Sequence, residues 1–299
     1  MTTIGLVGAG AMGSALGANW LAGGQSVLTC LTGRSPRTRD LATEARLGTV
    51  FTLEQLVGAS DLVVSVVPPG SAVAAAQSLA TAARRAGVAP VVADLNAVSP
   101  PTMAKVAAVL GSAGCPVVDG SISASPPRAG GEPATVYVSG PRARSFAALS
   151  SPWLDVVVLD APVGAASALK MCTASMYKGV KALVLAALLT AEVHGVREQF
   201  VADVAREWPE DVPHWHTDVA VAAAKAWRFV DEMREISRTQ GGVGLPPELF
   251  EGVAALYAYA AATPLGGTPL EALDRSATVE DVLAGLRREP GVPASDAGG

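Results

Sequence analysis

The sequence has few cysteines and no excess of basic residues. Cys30, Cys115 and Cys172 are odd in number and far apart, so we expect reduced thiols and neither disulfides nor a metal site. The formal net charge is -5. This argues against nucleic acid as the main partner, because nucleic-acid binding normally requires a basic surface.

Segments of membrane or targeting type are also missing from the sequence. No apolar run looks long and uninterrupted enough to span a membrane, and the first residues lack the basic start of a signal peptide. The 299 residues are enough for two domains of ordinary size or one large one, and half of them are hydrophobic, so a sizeable core is available. We therefore expect a cytoplasmic protein that binds no membrane.

Three glycines with the spacing G-x-G-x-x-G stand near the start of the chain. They follow the apolar run Ile4–Val7, which predicts a buried strand, and precede a helical pattern. In this context Gly8 allows a tight turn, Gly10 a close approach of the backbone to a pyrophosphate, and Gly13 a close helix–strand contact. The motif predicts a dinucleotide site; the alternative is a glycine-rich turn that only packs a helix on a strand.

The turn after the second predicted strand, Ser26–Leu31, contains no acidic residue. Strands at this position usually end near an acid that binds the ribose hydroxyls of NAD, but no Asp or Glu occurs from Gly8 to Arg39. Guanidinium groups and hydroxyls suit the 2′-phosphate of NADP instead. We therefore predict NADP over NAD, although Ser35 also suits a helix N-cap with Pro36 after it. The candidate phosphate-binding residues are Thr32, Arg34, Ser35 and Arg37.

Apolar runs alternate with helical patterns up to about Pro162. This alternation predicts an α/β domain with a mostly parallel, doubly wound sheet, the Rossmann arrangement, over residues 1–163. A strand is expected at Pro116–Asp119, followed by a loop from Gly120 to Gly131. Pro68, Asn96 and Ser123 would then lie at the carboxyl ends of strands, where ligands bind in such sheets. The other predicted strands are Asp61–Val67, Pro90–Asn96, Thr135–Ser139 and Val156–Leu159, with a helix at Ala72–Ala86 and another after Ser99.

Strand patterns disappear beyond Pro162. Ala165–His194 predicts one long helix, apolar nearly all round and therefore buried between domains or against another subunit. We expect residues 164–299 to form an all-helical domain for substrate binding and dimerisation, and the protein to be a homodimer. The further predicted helices are Val196–Arg206, Thr217–Arg238, Pro247–Ala262 and Thr278–Arg288, with a frayed tail after Glu289.

Lys170 falls in the second turn of this long apolar helix. A lysine there is costly unless it is paired or faces a cleft, and burial lowers its pKa and suits it to proton transfer. The alternative is a lysine whose stem packs while its ammonium reaches water. Tyr177 and Lys178 lie near the same helical face. His214 and His216 have no third ligand nearby, so we expect polar loop residues and no metal.

Three stretches together resemble the β-hydroxyacid dehydrogenases, which include 3-hydroxyisobutyrate dehydrogenase and the 6-phosphogluconate dehydrogenase relatives. Gly8–Gly13 matches the cofactor turn, in which Met12 is itself typical. Asp119–Ser125 is similar to the substrate loop Asp-Ala-Pro-Val-Ser-Gly-Gly, and Gly164–Lys170 to the catalytic helix Gly-x-Gly-x-x-x-Lys. The resemblance covers the first two-thirds of the chain and is greatest to a divergent branch with its own 6-phosphogluconate-dehydrogenase-like C-terminal domain.

The resemblance implies roles for these residues. Lys170 would be the general acid/base on the substrate hydroxyl, and Ser123 would help to hold a substrate carboxylate. Asn96 lies near the place where the family contacts nicotinamide or substrate. The remaining candidates are Ser121, Thr173 and Tyr177 for the substrate, and Ala11, Met12, Val67 and Pro68 for the cofactor.

The sequence departs from the family pattern in the substrate loop and on the helix. Ser121 replaces a proline, Ala124 and Ser125 replace two glycines, and Thr173 stands where an asparagine is expected. The substrate class is therefore open. We predict an NADP-dependent oxidoreductase that transfers a hydride between nicotinamide and a small hydroxy acid or related carbonyl compound. The alternatives are an imine reductase, against which Lys170 argues, and a non-catalytic dinucleotide-binding sensor.

Overall fold

The computed structural model describes residues 2–151 and 153–287. The chain divides into two compact units, the first ending at Cys172 and the second beginning at Thr173. The first unit is a sheet with helices on both faces and the second is helical, which confirms the predicted α/β class. The domain boundary after residue 163 stays a prediction. The tail predicted to be frayed lies outside the described residues.

Eight strands form one sheet in the order β3-β2-β1-β4-β5-β6-β7-β8. Every neighbouring pair is parallel except β6 and β7, which are antiparallel. The strands are β1 (Thr3–Val7), β2 (Ser26–Cys30), β3 (Gly48–Val50), β4 (Leu62–Ser65), β5 (Val91–Asp94), β6 (Val117–Ser123), β7 (Ala134–Ser139) and β8 (Leu154–Val158).

Alternate residues of the central strands build two separate cores. Ile4 and Leu6 of β1 belong to one core, together with Trp20, whereas Val7 and Val63 face the other. A sheet buried on both faces needs apolar side chains at nearly every strand position, which is why β1 and β4 are continuous apolar runs. The helices of this unit are α1 (Ala11–Ala22), α2 (Pro36–Glu44), α3 (Leu53–Gly58), α4 (Ala72–Ala86), α5 (Pro100–Gly111), α6 (Ala143–Ala147) and the first residues of α7 (Ala165–Val193).

The structure of this unit differs from the prediction at several places. The expected loop from Gly120 is wrong at its start, because β6 continues to Ser123 through antiparallel pairing with β7. Strand β3 and helix α3 were not predicted; both are short, and α3 begins with a capping box in which Thr52 and Gln55 bond each other's backbone. Such short elements carry too little periodicity to be recognised.

Up to residue 287, where the described part of the chain ends, the second unit contains the rest of α7 and five further α-helices. The single helix predicted over Thr217–Arg238 is wrong, because the chain breaks at Lys225, which ends one helix and begins the next. Trp215 is buried, whereas Trp208 and Trp227 are exposed. The helices are α8 (Arg197–Val204), α9 (Trp215–Ala224), α10 (Ala226–Gly241), α11 (Glu248–Ala261) and α12 (Val279–Gly285).

Helix α7 corrects the expectation that no apolar run reaches membrane-spanning length. Its 29 residues contain an 18-residue window whose hydropathy and length pass the criterion for a span. One third of that window is buried inside the protein. Core helices of soluble proteins meet the same criterion, so a single such helix is weak evidence for a membrane segment.

Candidate functional site

The order of the strands reverses beside β1. Strand β2 follows on one side of β1, whereas β4, which comes later in the chain, pairs on the other side. The loops after β1 and β4 therefore diverge at their carboxyl ends and leave a crevice, which is the usual place for ligands in doubly wound sheets. The glycine turn leads from β1 into α1 at this point.

Two of the three glycines are required by the protein itself. A Cβ on Gly8 would lie 2.1 Å from the carbonyl oxygen of Val66, and Gly8 has a φ of +97°. A Cβ on Gly13 would lie 2.0 Å from the carbonyl oxygen of Gly8. Both positions are closed to a side chain, so these glycines hold the turn against β4 and against α1.

Gly10 is different. A Cβ built on it meets no atom of the described residues within 4 Å, so packing inside the protein does not explain its lack of a side chain. Gly10 is the N-cap of α1, offers no side-chain hydrogen bond, and is followed by no acid in the first turn. The space beside it and the positive end of the helix fit a pyrophosphate group.

The basic turn after β2 borders an open groove. Thr32 and Arg34 line this groove, which has a volume of about 640 Å³, within the range of small-molecule sites. The hydroxyl of Thr32 donates to the carbonyl oxygen of Phe51 at 2.7 Å. Ser35 accepts a hydrogen bond from the backbone N–H of Thr38 and caps α2, so its cap role is present. Arg34 and Arg37 are both exposed.

The opposite wall of the groove comes from α3, α4 and the residues before α3. Phe51 lines it and is 82% exposed, although its backbone is fixed by bonds to Thr32 and Gln55. Arg85 and Glu54 form an ion pair at 3.3 Å along the same wall. An exposed aromatic ring on a rigid backbone is well suited to stacking on a planar group.

Asn96 joins the ends of β4 and β5. Its side-chain oxygen accepts from the N–H of Val67 at 2.6 Å, and its amide nitrogen donates to Asp94 at 2.8 Å and to Ser65 at 3.1 Å. Asn96 is buried. Burial raises the pKa of Asp94 to about 7, which the hydrogen bonds from Asn96 oppose and the nearby Asp119 charge reinforces. The asparagine thus positions the loop that carries Val67 and Pro68.

Lys170 lies in the first unit and points to the end of β6. Its Nζ donates to the carbonyl oxygen of Ile122 at 2.7 Å, and the side chain is half-buried. Ile122 is flanked on β6 by Ser121, which is buried, and by Ser123, which is exposed at the end of the strand. Lys170 and these two candidate substrate residues therefore meet at one edge of the sheet.

The residue that sequence reasoning missed is Asp119. This fully buried carboxylate accepts four hydrogen bonds: its Oδ2 from Gly164 N–H (2.8 Å), Ser139 hydroxyl (2.9 Å) and Ser167 N–H (3.2 Å), and its Oδ1 from Ser167 hydroxyl (2.6 Å). A carboxylate at a helix N-terminus satisfies free N–H groups and complements the helix dipole. Asp119 anchors α7 one turn before Lys170; the signal in the sequence was an acid directly after the apolar residues Val117 and Val118.

The other candidate substrate residues belong to the second unit. Thr173 is half-buried and Tyr177 is 70% exposed. Lys178 forms an ion pair with Glu232 and lies 4.5 Å from the centroid of the Phe229 ring. The boundary between the compact units falls after Cys172, between Lys170 and these residues of α7.

The expectation that His214 and His216 are loop residues is wrong, because His214 is the N-cap of α9 and His216 lies within that helix. His214 ends a short 3₁₀ turn, and His216 lines an apolar pocket of about 70 Å³. Within residues 2–151 and 153–287, the structure contains no group of three or more His, Cys, Asp or Glu side chains able to hold a metal ion. None of the cysteines at positions 30, 115 and 172, which all lie in the described part of the chain, is in a disulfide.

A doubly wound sheet with this glycine turn at its crevice defines a dinucleotide-binding protein. A family model described as the NAD-binding domain of 6-phosphogluconate dehydrogenase matches residues 3–169, and a model described as a domain of unknown function matches residues 191–259. The chain belongs to the first of these families. It is an NAD(P)-dependent oxidoreductase of the dehydrogenase type.

Solved structures resemble the chain over most of its length. One is a conserved protein of unknown function described as structurally similar to 3-hydroxyacid dehydrogenases, with 26% identity and a TM-score of 0.66, covering 87% of this chain and 96% of the other. A comparison with curated proteins found no match.

Two more distant structures show likeness of fold alone. The first is 3-hydroxyisobutyrate dehydrogenase of Mycobacterium tuberculosis with L-serine, at 20% identity and a TM-score of 0.66, covering 96% of this chain and 100% of the other. The second is a reductive aminase from Aspergillus terreus in complex with NADPH and ethyl-5-oxohexanoate, at 18% identity and a TM-score of 0.54, covering 87% and 94%.

Proposed function

We propose that the protein is an NADP-dependent oxidoreductase that acts on a small hydroxy acid or related carbonyl compound, with Lys170 as its general acid/base. The observation that carries the proposal is the Lys170 ammonium at the end of β6, bonded to the carbonyl oxygen of Ile122. It stands on a helix anchored by Asp119. The crevice with the glycine turn belongs to the same compact unit.

Lys170 carries out the proton transfer of the reaction. Oxidation of a carbinol requires that the hydroxyl proton leave as the hydride departs from carbon, and a neutral amine at Nζ takes that proton; reduction returns it from the ammonium. Bound nicotinamide supplies or accepts the hydride. Ile122 holds Nζ in place through its carbonyl oxygen, and this positioning lowers the entropic part of the barrier.

Cofactor choice is assigned to the turn after β2. Arg34 and Arg37 offer guanidinium donors, with Thr32 and Ser35 beside them, and no carboxylate stands between Gly8 and Arg39 to repel a 2′-phosphate. Arg34 and Thr32 line a groove of suitable size. The reductive aminase with NADPH gives a precedent within this fold. Gly8, Gly10, Ala11, Met12 and Gly13, with Val67, Pro68 and Asn96, would complete the cofactor site.

The substrate is assigned to residues on β6 and on α7. Ser123 is exposed at the end of β6 and offers a hydroxyl for a substrate carboxylate; Ser121 is buried two residues before it. Asn96, Thr173 and Tyr177 are the further substrate candidates. In this proposal residues 1–163 bind NADP and residues 164–299 serve substrate binding and dimerisation, in a cytoplasmic homodimer.

Replacement of Lys170 tests the central role. In Lys170→Ala we expect turnover to fall about 10²- to 10⁴-fold, the usual contribution of a positioned acid/base, while the Kd for NADPH stays at the wild-type value. Lys105→Ala, at an exposed position of α5, is the matched control and should keep full activity. Wild-type turnover of Lys170→Ala at every pH with intact cofactor binding would remove Lys170 from the mechanism.

An imine reductase is the second candidate function, favoured by the fold of the reductive aminase. Such an enzyme uses the same cofactor but protonates nitrogen rather than oxygen, so the two activities separate on a panel of substrates. We expect NADP reduction with hydroxy acids to exceed NADPH oxidation with cyclic imines. The reverse order would establish the second function, and cofactor binding without turnover of either class would indicate a sensor.

A further inference from the structure

Three cations of the second unit gather around the break between α9 and α10. Lys225 occupies the break itself and serves as the N-cap residue of α10. Arg228 lies in the first turn of α10, where its N–H donates to the carbonyl oxygen of Lys225 at 3.0 Å. Lys181 lies on α7 and contacts Asp218 of α9 at 2.7 Å. We call these three residues the cation cluster.

Besides the pair between Lys181 and Asp218, a second ion pair sets the geometry of the cluster. Lys178 of α7 pairs with Glu232 of α10, which joins the two helices one turn away. Lys181 follows Lys178 by three residues and Arg228 precedes Glu232 by four, so both face the same region in α-helical geometry. Because Lys178 and Glu232 neutralise each other, this pair adds no net charge to the cation cluster.

The cluster has more positive charge than its surroundings compensate. Of its three cations only Lys181 has an acidic partner, Asp218; Lys225 and Arg228 have no ion pair within the described part of the chain. Together with Asp218 the cluster therefore carries two uncompensated positive charges. Burial, followed by the charges of Arg228 and Lys181, lowers the pKa of Lys225, so the ammonium is unfavourable in the folded state.

The position of Arg228 on α10 is unfavourable for a cation. The first turn of α10 contains no acid, although acids are favoured at a helix N-terminus and cations are disfavoured there. Arg228 lies against the positive end of this 16-residue helix, which opposes stability, whereas Lys225 also caps the C-terminus of α9, where the helix dipole favours a cation. An arrangement that opposes folding and presents several donors in one place is typical of a binding site for the opposite charge.

We propose that Lys181, Lys225 and Arg228 form a binding site for a doubly charged oxyanion group of a small molecule, such as a phosphate monoester or a dicarboxylate. The charge of a dianion equals the uncompensated charge of the cluster. Arg228 supplies a planar fork for two oxygens, and the lysines supply point charges. The site lies in the second unit and is independent of the role assigned to Lys170.

Thermal unfolding of the full chain tests the site, with sodium phosphate, sodium malonate and sodium chloride at equal ionic strength and pH 8. We expect phosphate or malonate to raise the wild-type Tm by about 3 °C or more over chloride, a shift of the size given by a ligand well above its Kd. A response to phosphate alone identifies a phosphate monoester, and a response to malonate alone identifies a dicarboxylate.

Lys225→Gln and Arg228→Gln should lose at least half of that shift. Arg234→Gln is the matched control, because Arg234 lies on the same helix and already pairs with Asp231; it should keep the wild-type shift. Since part of a phosphate response can arise at the glycine turn, the loss in the two variants is the measured quantity.

In chloride alone, Lys225→Gln should unfold at or above the wild-type Tm, because it removes a repelled cation. The proposal fails if neither dianion shifts the wild type, if the two cluster variants keep its full shift, or if Lys225→Gln lowers the Tm in chloride.

Discussion

At the scale of single residues, Asp94 is a buried carboxyl group next to the crevice, and burial changes its pKa while it orients Asn96. Asp94 is buried at the end of β5, and its pKa is raised to about 7 mainly by the loss of water. Its two oxygens accept from the side chain and backbone of Asn96. The carboxyl group is thus close to its titration midpoint at neutral pH while it orients the residue that holds Val67.

Asp94→Asn should change how stability depends on pH. The folded pKa lies above the ordinary value, so the folded state binds the extra proton and wild-type stability falls as pH rises from about 4 to about 7. The variant has no such group. We expect its free energy of unfolding, measured with urea, to gain more than about 1 kcal/mol on the wild type between pH 4 and pH 8. Parallel curves would refute the raised pKa.

Arg34 is the residue on which the choice of cofactor is expected to depend most. It is exposed, lines the groove, and projects from a turn that contains no acid. In Arg34→Gln the Kd for NADPH should rise about tenfold, the loss of one charge-assisted hydrogen bond. The Kd for NADH should stay constant, because NADH lacks the 2′-phosphate; an equal loss for both cofactors, or a wild-type preference for NADH, would contradict the proposal.

At the scale of elements, sequence periodicity predicted the long elements and missed those set by distant partners. Helix α7 was predicted over Ala165–His194 and spans Ala165–Val193, because its apolar pattern is local. The extension of β6 to Ser123 depends on pairing with β7. The break at Lys225 falls within a pattern without proline or glycine, so nothing local marks it.

The residues of the candidate site likewise divide into those that local sequence spacing predicts and those that depend on distant partners. The glycine turn and the lysine helix were recognisable because their spacing is fixed by local geometry. The role of Asp119 was not, because its partners Gly164 and Ser167 lie 45 and 48 residues away. A buried acid on a strand acquires meaning only when the elements that surround it are known.

Asp119→Asn tests the anchoring of α7. An amide would turn donor hydrogens toward N–H groups that now meet a carboxylate, so we expect a loss of about 2 kcal/mol in the free energy of unfolding. Turnover should fall as well, because Lys170 loses its fixed position. Asp155→Asn on β8, an exposed site, is the control. If Asp119→Asn were as stable as Asp155→Asn, the proposed anchoring of α7 by Asp119 would be wrong.

At the scale of the whole molecule, the second unit exposes an apolar stripe on α7. Met176, Val180 and Leu183 recur at helical spacing and are exposed, Leu183 at 66%. Contiguous apolar surface of this kind marks an interface with another protein chain. The stripe supports the proposed homodimer, since the predicted burial of α7 would be completed by a second copy.

Leu183→Glu should convert the homodimer to a monomer, because a buried, unpaired carboxylate at an interface is strongly unfavourable. Light scattering at micromolar concentration is the measurement, with circular dichroism to verify the fold. Glu198→Gln, at an exposed position of α8, is the control and should remain dimeric. A monomeric wild type would refute the homodimer.

In the glycine turn, the needs of the fold and the needs of a bound nucleotide fall on different glycines, although a sequence motif alone does not distinguish them. Gly8 and Gly13 have backbone atoms where a side chain would begin, so the fold needs them whether or not a nucleotide binds. Gly10 borders open space and is constrained only by what enters that space. A descendant of this protein that no longer bound nucleotides would still need Gly8 and Gly13 but could replace Gly10. A glycine at position 10 therefore indicates that nucleotide binding has been kept.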